Sequence, residues 1–246
     1  MSHSPYSSNC CTHPNRRSFL KATGIAAAAG LLSAHASVDL AAQALTKEQR
    51  DHMTPDEIIA QMKQGNERFR SGKPTLTNLL AQQRASAKGQ FPKAAILSCV
   101  DSRTPAEAIM DLGIGDAFNA RVAGNVANDD IIGSMEFACQ VAGARVVVVM
   151  GHTACGAIGG AIDGVQLGKL TGLLSRIQPA VKATVYQGDR SGKNYAFVDA
   201  VARKNIELTV EVIRNGSPVL AELTKRGTLK IVGALYNLET AKLDFF

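Results

Sequence analysis

Apolar residues come in short unbroken runs along this chain, and stretches of helical spacing lie between the runs. "KAAILSC" (93–99) and "ARVVVVMG" (144–151) are apolar at nearly every position. That is the pattern of a strand covered on both faces, as in a parallel sheet. "DAFNARVAG" (116–124) reads as a further strand, and "TLKIVGALYNL" (228–238) as the strand that closes the chain. "TPDEIIAQMKQGNERFRSGK" (54–73) carries helix-start chemistry: Thr54 to cap, Pro55 for the first turn, Glu57 for a capping box. Ile58, Ile59, Met62 and Phe69 give it an apolar stripe. "TPAEAIMDLG" (104–113) repeats the signature with Thr104, Pro105 and Glu107. Further helices are predicted at 78–89, at 128–143 with Asn128 or Asp129 as cap, at 154–163, at 170–187 with a kink or break at Pro179, at 194–216 and at 218–227. Strands alternating with helices predict an α/β fold, a mostly parallel central sheet flanked by helices. No internal repeat and no second domain is visible.

The N-terminal part departs from this pattern. "NRRSFLK" (15–21) places paired arginines ahead of "ATGIAAAAGLLSAHA", an acid-free apolar stretch too short and too rich in Ala and Gly to span a membrane well. Ala34-His35-Ala36 supplies an A-x-A cleavage pattern, and Ala42-Gln43-Ala44 a second. The segment resembles a twin-arginine export signal. Residues 1–36 are therefore expected to be a cleaved leader, 37–53 a linker and the start of a surface helix, and 54–246 the main folded domain. Periplasmic or otherwise exported localisation follows. No other segment is long and apolar enough to cross a membrane, so the mature form is expected to have no membrane contact.

Composition narrows the function classes. The net charge is +6, but without residues 1–36 it falls to 24 basic against 21 acidic residues. That mild balance, with no Trp and few aromatics, argues against nucleic acid. Five cysteines include Cys10 and Cys11 in the leader, which leaves Cys99, Cys139 and Cys155. Three is no disulfide framework. Cys139, in a helical pattern, reads as a small core residue.

The chemistry gathers at two strand ends. Cys99 ends one strand and His152 and Cys155 follow another. In open parallel sheets function collects beyond the carboxyl ends of the strands, at a topological switch point. If the two strands are neighbours, two sulfurs and an imidazole converge as a zinc set, with the fourth position open as in catalytic sites. No fourth Cys or His lies near in sequence. Asp101 stands two residues from a ligand. It can accept a hydrogen bond from zinc-bound water, or bind the metal itself and close the site. Arg103 can hold it through a bidentate pair. A cysteine phosphatase is disfavoured, because C-x3-R replaces the C-x5-R loop it needs. A non-catalytic zinc protein would close its site with a fourth ligand.

"CVDSR" and "GHTACGA" resemble the paired C-x-D-x-R and H-x-x-C signatures of the β-class carbonic anhydrases, and the likeness runs through "GDAFNARVAGN" and "GALYNLET", about residues 54–243. The resemblance implies zinc held by Cys99, His152 and Cys155, and an Asp101–Arg103 dyad. It implies reversible hydration of CO2 to bicarbonate and a proton by a zinc-bound hydroxide, with no organic cofactor. It also implies a homodimer or tetramer whose N-terminal helices wrap the partner. Hydrolysis of CS2 or COS by the same zinc site is the alternative. Many relatives carry a substrate-binding glutamine where this chain has Leu112 and Gly113.

Overall fold

A computed structural model describes residues 44–75 and 78–246. The twin-arginine stretch and the Ala36 cleavage pattern lie outside the described residues. Three helices come first: α1 (Lys47–His52), α2 (Pro55–Arg70) and α3 (Leu79–Ser86). Thr54 caps α2 in a capping box with Glu57, and Asn78 caps α3. Residues 47–52, expected as the end of a linker and the start of a surface helix, form a capped helix of their own. Thr46 and Gln49 close its capping box. It is tied down by Arg50, which is buried and donates to the Ala142 carbonyl.

β1 (Ala94–Ser98) leads through the short α4 (Ala106–Ile109) to β2 (Ala117–Arg121). α5 (Asp129–Glu136), capped by Asn128, continues into a π turn (Phe137–Val141) and then β3 (Val146–His152). α6 (Gly156–Ile162), α7 (Gly168–Ser175), α8 (Gln178–Ala183), the long α9 (Tyr195–Gly216) and α10 (Pro218–Lys225) precede β4 (Lys230–Tyr236) and β5 (Leu243–Phe245). Pro179 divides the predicted 170–187 helix. α7 ends before it, and it sits in the first turn of α8, where its missing N–H costs nothing.

The sheet order is β2-β1-β3-β4-β5, with β5 antiparallel and the other pairs parallel. β4 therefore does not close the chain. Asn237 turns it back by accepting from the amides of Glu239 and Thr240 through Oδ1, and β5 pairs as an edge. A three-residue strand carries too little pattern to be read from sequence.

The alternation along β1 and β3 explains their unbroken apolar runs. Ala95, Leu97, Val147 and Val149 pack toward α5, α9 and α10. Ala94, Ile96, Val146, Val148 and Met150 pack on Ile58 and Met62 of α2 and Ile109 of α4. A third cluster, over the carboxyl ends of the strands, joins Cys99 and Cys155 to Val126, Ile158, Leu174, Ile177 and Phe197. Cys139 is buried in the first of these clusters, as its setting in sequence suggests, and burial pushes its thiol up to about 12.

The second Thr-Pro signature behaves differently from the first. α4 is four residues long, its N-cap is Pro105, and no side chain caps it. The Thr104 hydroxyl turns back and donates to the Asp101 carbonyl at 2.9 Å. The reason is burial: Thr104 is fully enclosed, and its hydroxyl satisfies the turn that follows Cys99.

Candidate metal centre

β1 runs to one side of the sheet to reach β2, and the chain then returns to β1's other flank as β3. This reversal between β1 and β3 is the switch point, where loops diverge and leave a crevice. Ser98 pairs with Met150, so Cys99 leaves its strand close to the point where His152 ends the neighbouring one. One turn further on, Cys155 begins α6. The Cys99 and Cys155 sulfurs and an imidazole nitrogen of His152 lie within 4.8 Å of one another, all three residues buried. The sequence-predicted trio is thus brought to one place, by adjacent parallel strands.

The donor set suits a soft divalent cation. His152 Nδ1 donates to the Thr153 carbonyl at 2.9 Å, which can only accept, so Nε2 keeps its lone pair. Nε2 is buried and makes no hydrogen bond among the described residues. The Thr153 peptide is fixed in turn by the Tyr236 carbonyl, which accepts its N–H at 2.9 Å, and its hydroxyl accepts from the Leu238 N–H at 3.0 Å. As protein groups alone, the two sulfurs pull each other's protonation in opposite directions. Cys99 is pushed down, first by a hydrogen bond from Cys155 and then by His152 and backbone amides. Cys155 is pushed up by its bond to Cys99 and by burial. Two buried sulfurs ionise together only beside a cation.

The residues around the trio hold it. Gly124 donates its N–H to Cys99 Sγ at 3.4 Å. It lies in the left-handed region, φ +67°, and a Cβ there would fall 2.7 Å from Ile177. Arg121 donates through Nε to the Cys99 carbonyl at 2.9 Å, and also bonds the Asp101 carbonyl. Asp101 is gripped by Arg103: Oδ1 accepts from Nε at 3.0 Å, Oδ2 from Nη2 at 2.8 Å, and Oδ1 again from the Arg103 amide at 2.9 Å. Arg103 therefore holds the Asp101 carboxyl well below the usual carboxylate range. Asp101 Oδ2 stands 3.8 Å from His152 Nε2, beside the trio.

Leu112 and Gly113 lie elsewhere. Leu112 is buried with Ile58, Met62 and Met110, and both residues line a cavity of about 460 Å³ with Leu79, Glu107 and Ile114. Gly113 donates its N–H to Asp116 at 3.0 Å. Sequence reasoning missed Gly124 and Arg121, which bond Cys99, and Asp199 and Asn205 of α9, which bond the Ala154 amide and the Gly124 carbonyl. "AGN" (123–125) carries a turn signal that would have pointed to Gly124. Asp199 and Asn205 look like any polar positions of a helix.

Comparison with known proteins gives the same picture from outside. Residues 94–243 match the family model described as carbonic anhydrase, and residues 13–33 match that of the twin-arginine translocation pathway signal sequence. Carbonic anhydrase 2 of Mycobacterium tuberculosis is 37% identical over 183 residues, 74% of this chain and 87% of that protein. A β-carbonic anhydrase of Aspergillus fumigatus superposes with a TM-score of 0.59 at 26% identity, covering 78% of this chain and 89% of the other. A tetrameric β-carbonic anhydrase of Sordaria macrospora gives 0.59 at 22% identity, over 77% and 96%.

Proposed function

The chain belongs to the β-class carbonic anhydrase family, whose general reaction is CO2 hydration, and from that premise we propose that it interconverts CO2 and bicarbonate at a zinc ion held by Cys99, His152 and Cys155. The observation that carries this reading is the convergence of two sulfurs and an imidazole nitrogen within 4.8 Å. The buried lone pair of Nε2 fits the same group. When bound, zinc supplies a Lewis acid that makes hydroxide available near neutral pH.

The chain's own residues do the rest. Asp101 accepts a hydrogen bond from the reacting water and aims its oxygen lone pair at the carbon of CO2. Arg103 keeps Asp101 ionised and holds its carboxylate by both oxygens beside the trio; without that grip Asp101 would be free to bind the metal itself. Val126 and Ile158 pack with the two cysteines and keep bulk water from their sulfurs.

The twin-arginine signal supports export of a folded chain, to the periplasm in a cell with two membranes. Folding before export lets the thiolates take up metal in the reducing cytoplasm. Phe137 and Val141 are apolar and largely exposed, and a tetrameric structural neighbour agrees with self-association into a dimer or tetramer.

The test is metal analysis of the purified mature protein together with hydration of CO2 and hydrolysis of COS and CS2, assayed in parallel. About one zinc per chain and fast CO2 turnover are expected. Turnover of COS or CS2 with little of CO2 would reassign the substrate, and a full zinc complement without any turnover would make this a non-catalytic zinc protein.

A further inference from the structure

Helix α9 is 22 residues long, and its N-terminal half lies behind the metal centre. Three of its side chains reach the backbone that carries the ligands. Asp199 Oδ1 accepts the N–H of Ala154 at 2.7 Å. Ala154 sits between His152 and Cys155 with φ +51°, a left-handed conformation that an alanine adopts only when its surroundings impose it. Asn205, itself buried, donates through Nδ2 to the Gly124 carbonyl at 2.8 Å. The amide of that same Gly124 donates to Cys99 Sγ. Ile206, next to Asn205, lies against Gly151, where a Cβ would come within 2.7 Å of its Cδ1. One rigid helix therefore touches the His152–Cys155 loop, the end of β3 and the turn that serves Cys99.

We propose that Asp199 and Asn205 are positioning residues of the metal centre: through the Ala154 amide and the Gly124 carbonyl, α9 sets the spacing of the two ligand-bearing loops. The inference rests on the zinc reading above. Asp199 holds the strained turn that lets His152 and Cys155 face the same ion. Asn205 orients the peptide whose N–H faces the Cys99 sulfur. Neither side chain touches a ligand atom, so each acts through backbone. Outer groups of this kind typically set metal affinity by about 10- to 100-fold.

The experiment compares wild type with Asp199→Ala, Asp199→Asn and Asn205→Ala. Zinc affinity is measured by competition with a chromogenic chelator. The visible and near-ultraviolet spectrum of the cobalt(II)-substituted protein reads ligand geometry, and melting of the metal-free protein reads the scaffold. Asp199→Ala is expected to weaken zinc binding about 10- to 100-fold and to alter the tetrahedral cobalt bands. Asp199→Asn keeps an oxygen acceptor and is expected to restore both to near wild type. Asn205→Ala is expected to weaken zinc in the same direction, and if it does not fold, the Asp199 pair decides alone. An Asp199→Ala protein with zinc affinity within twofold of wild type and an unchanged cobalt spectrum overturns the proposal, even if it melts lower. So does an Asp199→Asn protein that binds zinc as weakly as Asp199→Ala. A wild type that binds neither metal overturns the zinc reading and this one together.

Discussion

Thr54-Pro55-Asp56-Glu57 and Thr104-Pro105-Ala106-Glu107 are near copies of one helix-start code, yet they fold differently. The first does what the code dictates. The Glu57 amide donates to Thr54 Oγ1 at 3.2 Å, Glu57 Oε2 accepts from the Thr54 amide at 2.7 Å, and a 16-residue helix follows. In the second, the hydroxyl is diverted to the Asp101 carbonyl and the helix lasts four residues. Thr54 stands at the surface and answers only to its own helix. Thr104 is buried five residues after Cys99, and there it closes the turn that carries Asp101 and Arg103. Local propensity is a weak prior, and a buried turn with carbonyls to satisfy outweighs it.

The comparison can be broken at several points. The largest effect is expected at the ligand itself. Cys99→Ser should lose essentially all zinc and all activity while the Thr54 helix stays formed, as metal analysis and far-ultraviolet circular dichroism will show. Zinc retained in full would remove Cys99 from the ligand set.

Next is Asp101→Ala, which should keep zinc and lose about 10²-fold in kcat, because the reacting water is no longer aimed. Arg103→Ala should also lose activity, by releasing Asp101 toward the metal. The double variant should be no slower than Arg103→Ala alone. Near wild-type rates with zinc present in Asp101→Ala would reduce the pair to a structural salt bridge.

Thr104→Val tests the diverted hydroxyl directly. It should lower kcat about tenfold through misplacement of Asp101, with zinc retained. Stability should fall by about 1 kcal/mol for the lost hydrogen bond. An unchanged kcat in a destabilised protein would show that the turn serves the fold only.

The smallest effect is expected from Thr54→Ala. Loss of the N-cap should cost about 1 kcal/mol in chemical denaturation and leave kcat per folded molecule unchanged. A fall in kcat comparable with that of Thr104→Val would erase the distinction between the two sites.

The same contrast explains what was legible in the sequence. The unbroken apolar runs of β1 and β3 announced strands covered on both sides, and residues 94–98 and 146–152 form them. The trio Cys99, His152 and Cys155 was legible because soft ligands at two strand ends become neighbours when the strands pair in parallel. The Asp101–Arg103 fork was legible from spacing alone. Thr104's true partner was not, since its signature is satisfied locally on paper and only burial decides otherwise. β5 was too short to show a period. Asp199 and Asn205 act on backbone amides and carbonyls distant in sequence, and nothing in a helix's polar pattern marks which position will do so.

The parallel register of β1 against β3 also sets an order of events in time. Ala94 pairs with Val146, and Val146 with Lys230, so the sheet core is built from strands far apart along the chain. Closing such loops costs entropy before any contact repays it, and parallel pairing of this kind folds slowly. Until β1 has docked, His152 and Cys155 are the two members of the proposed trio that lie together, a weak bidentate grip. If the trio holds zinc as proposed, tight capture would come late, after the sheet has formed, and the ion would then stabilise the finished state by mass action. On the zinc reading proposed above, metal occupancy would report that folding is complete, before the chain is exported by the twin-arginine route.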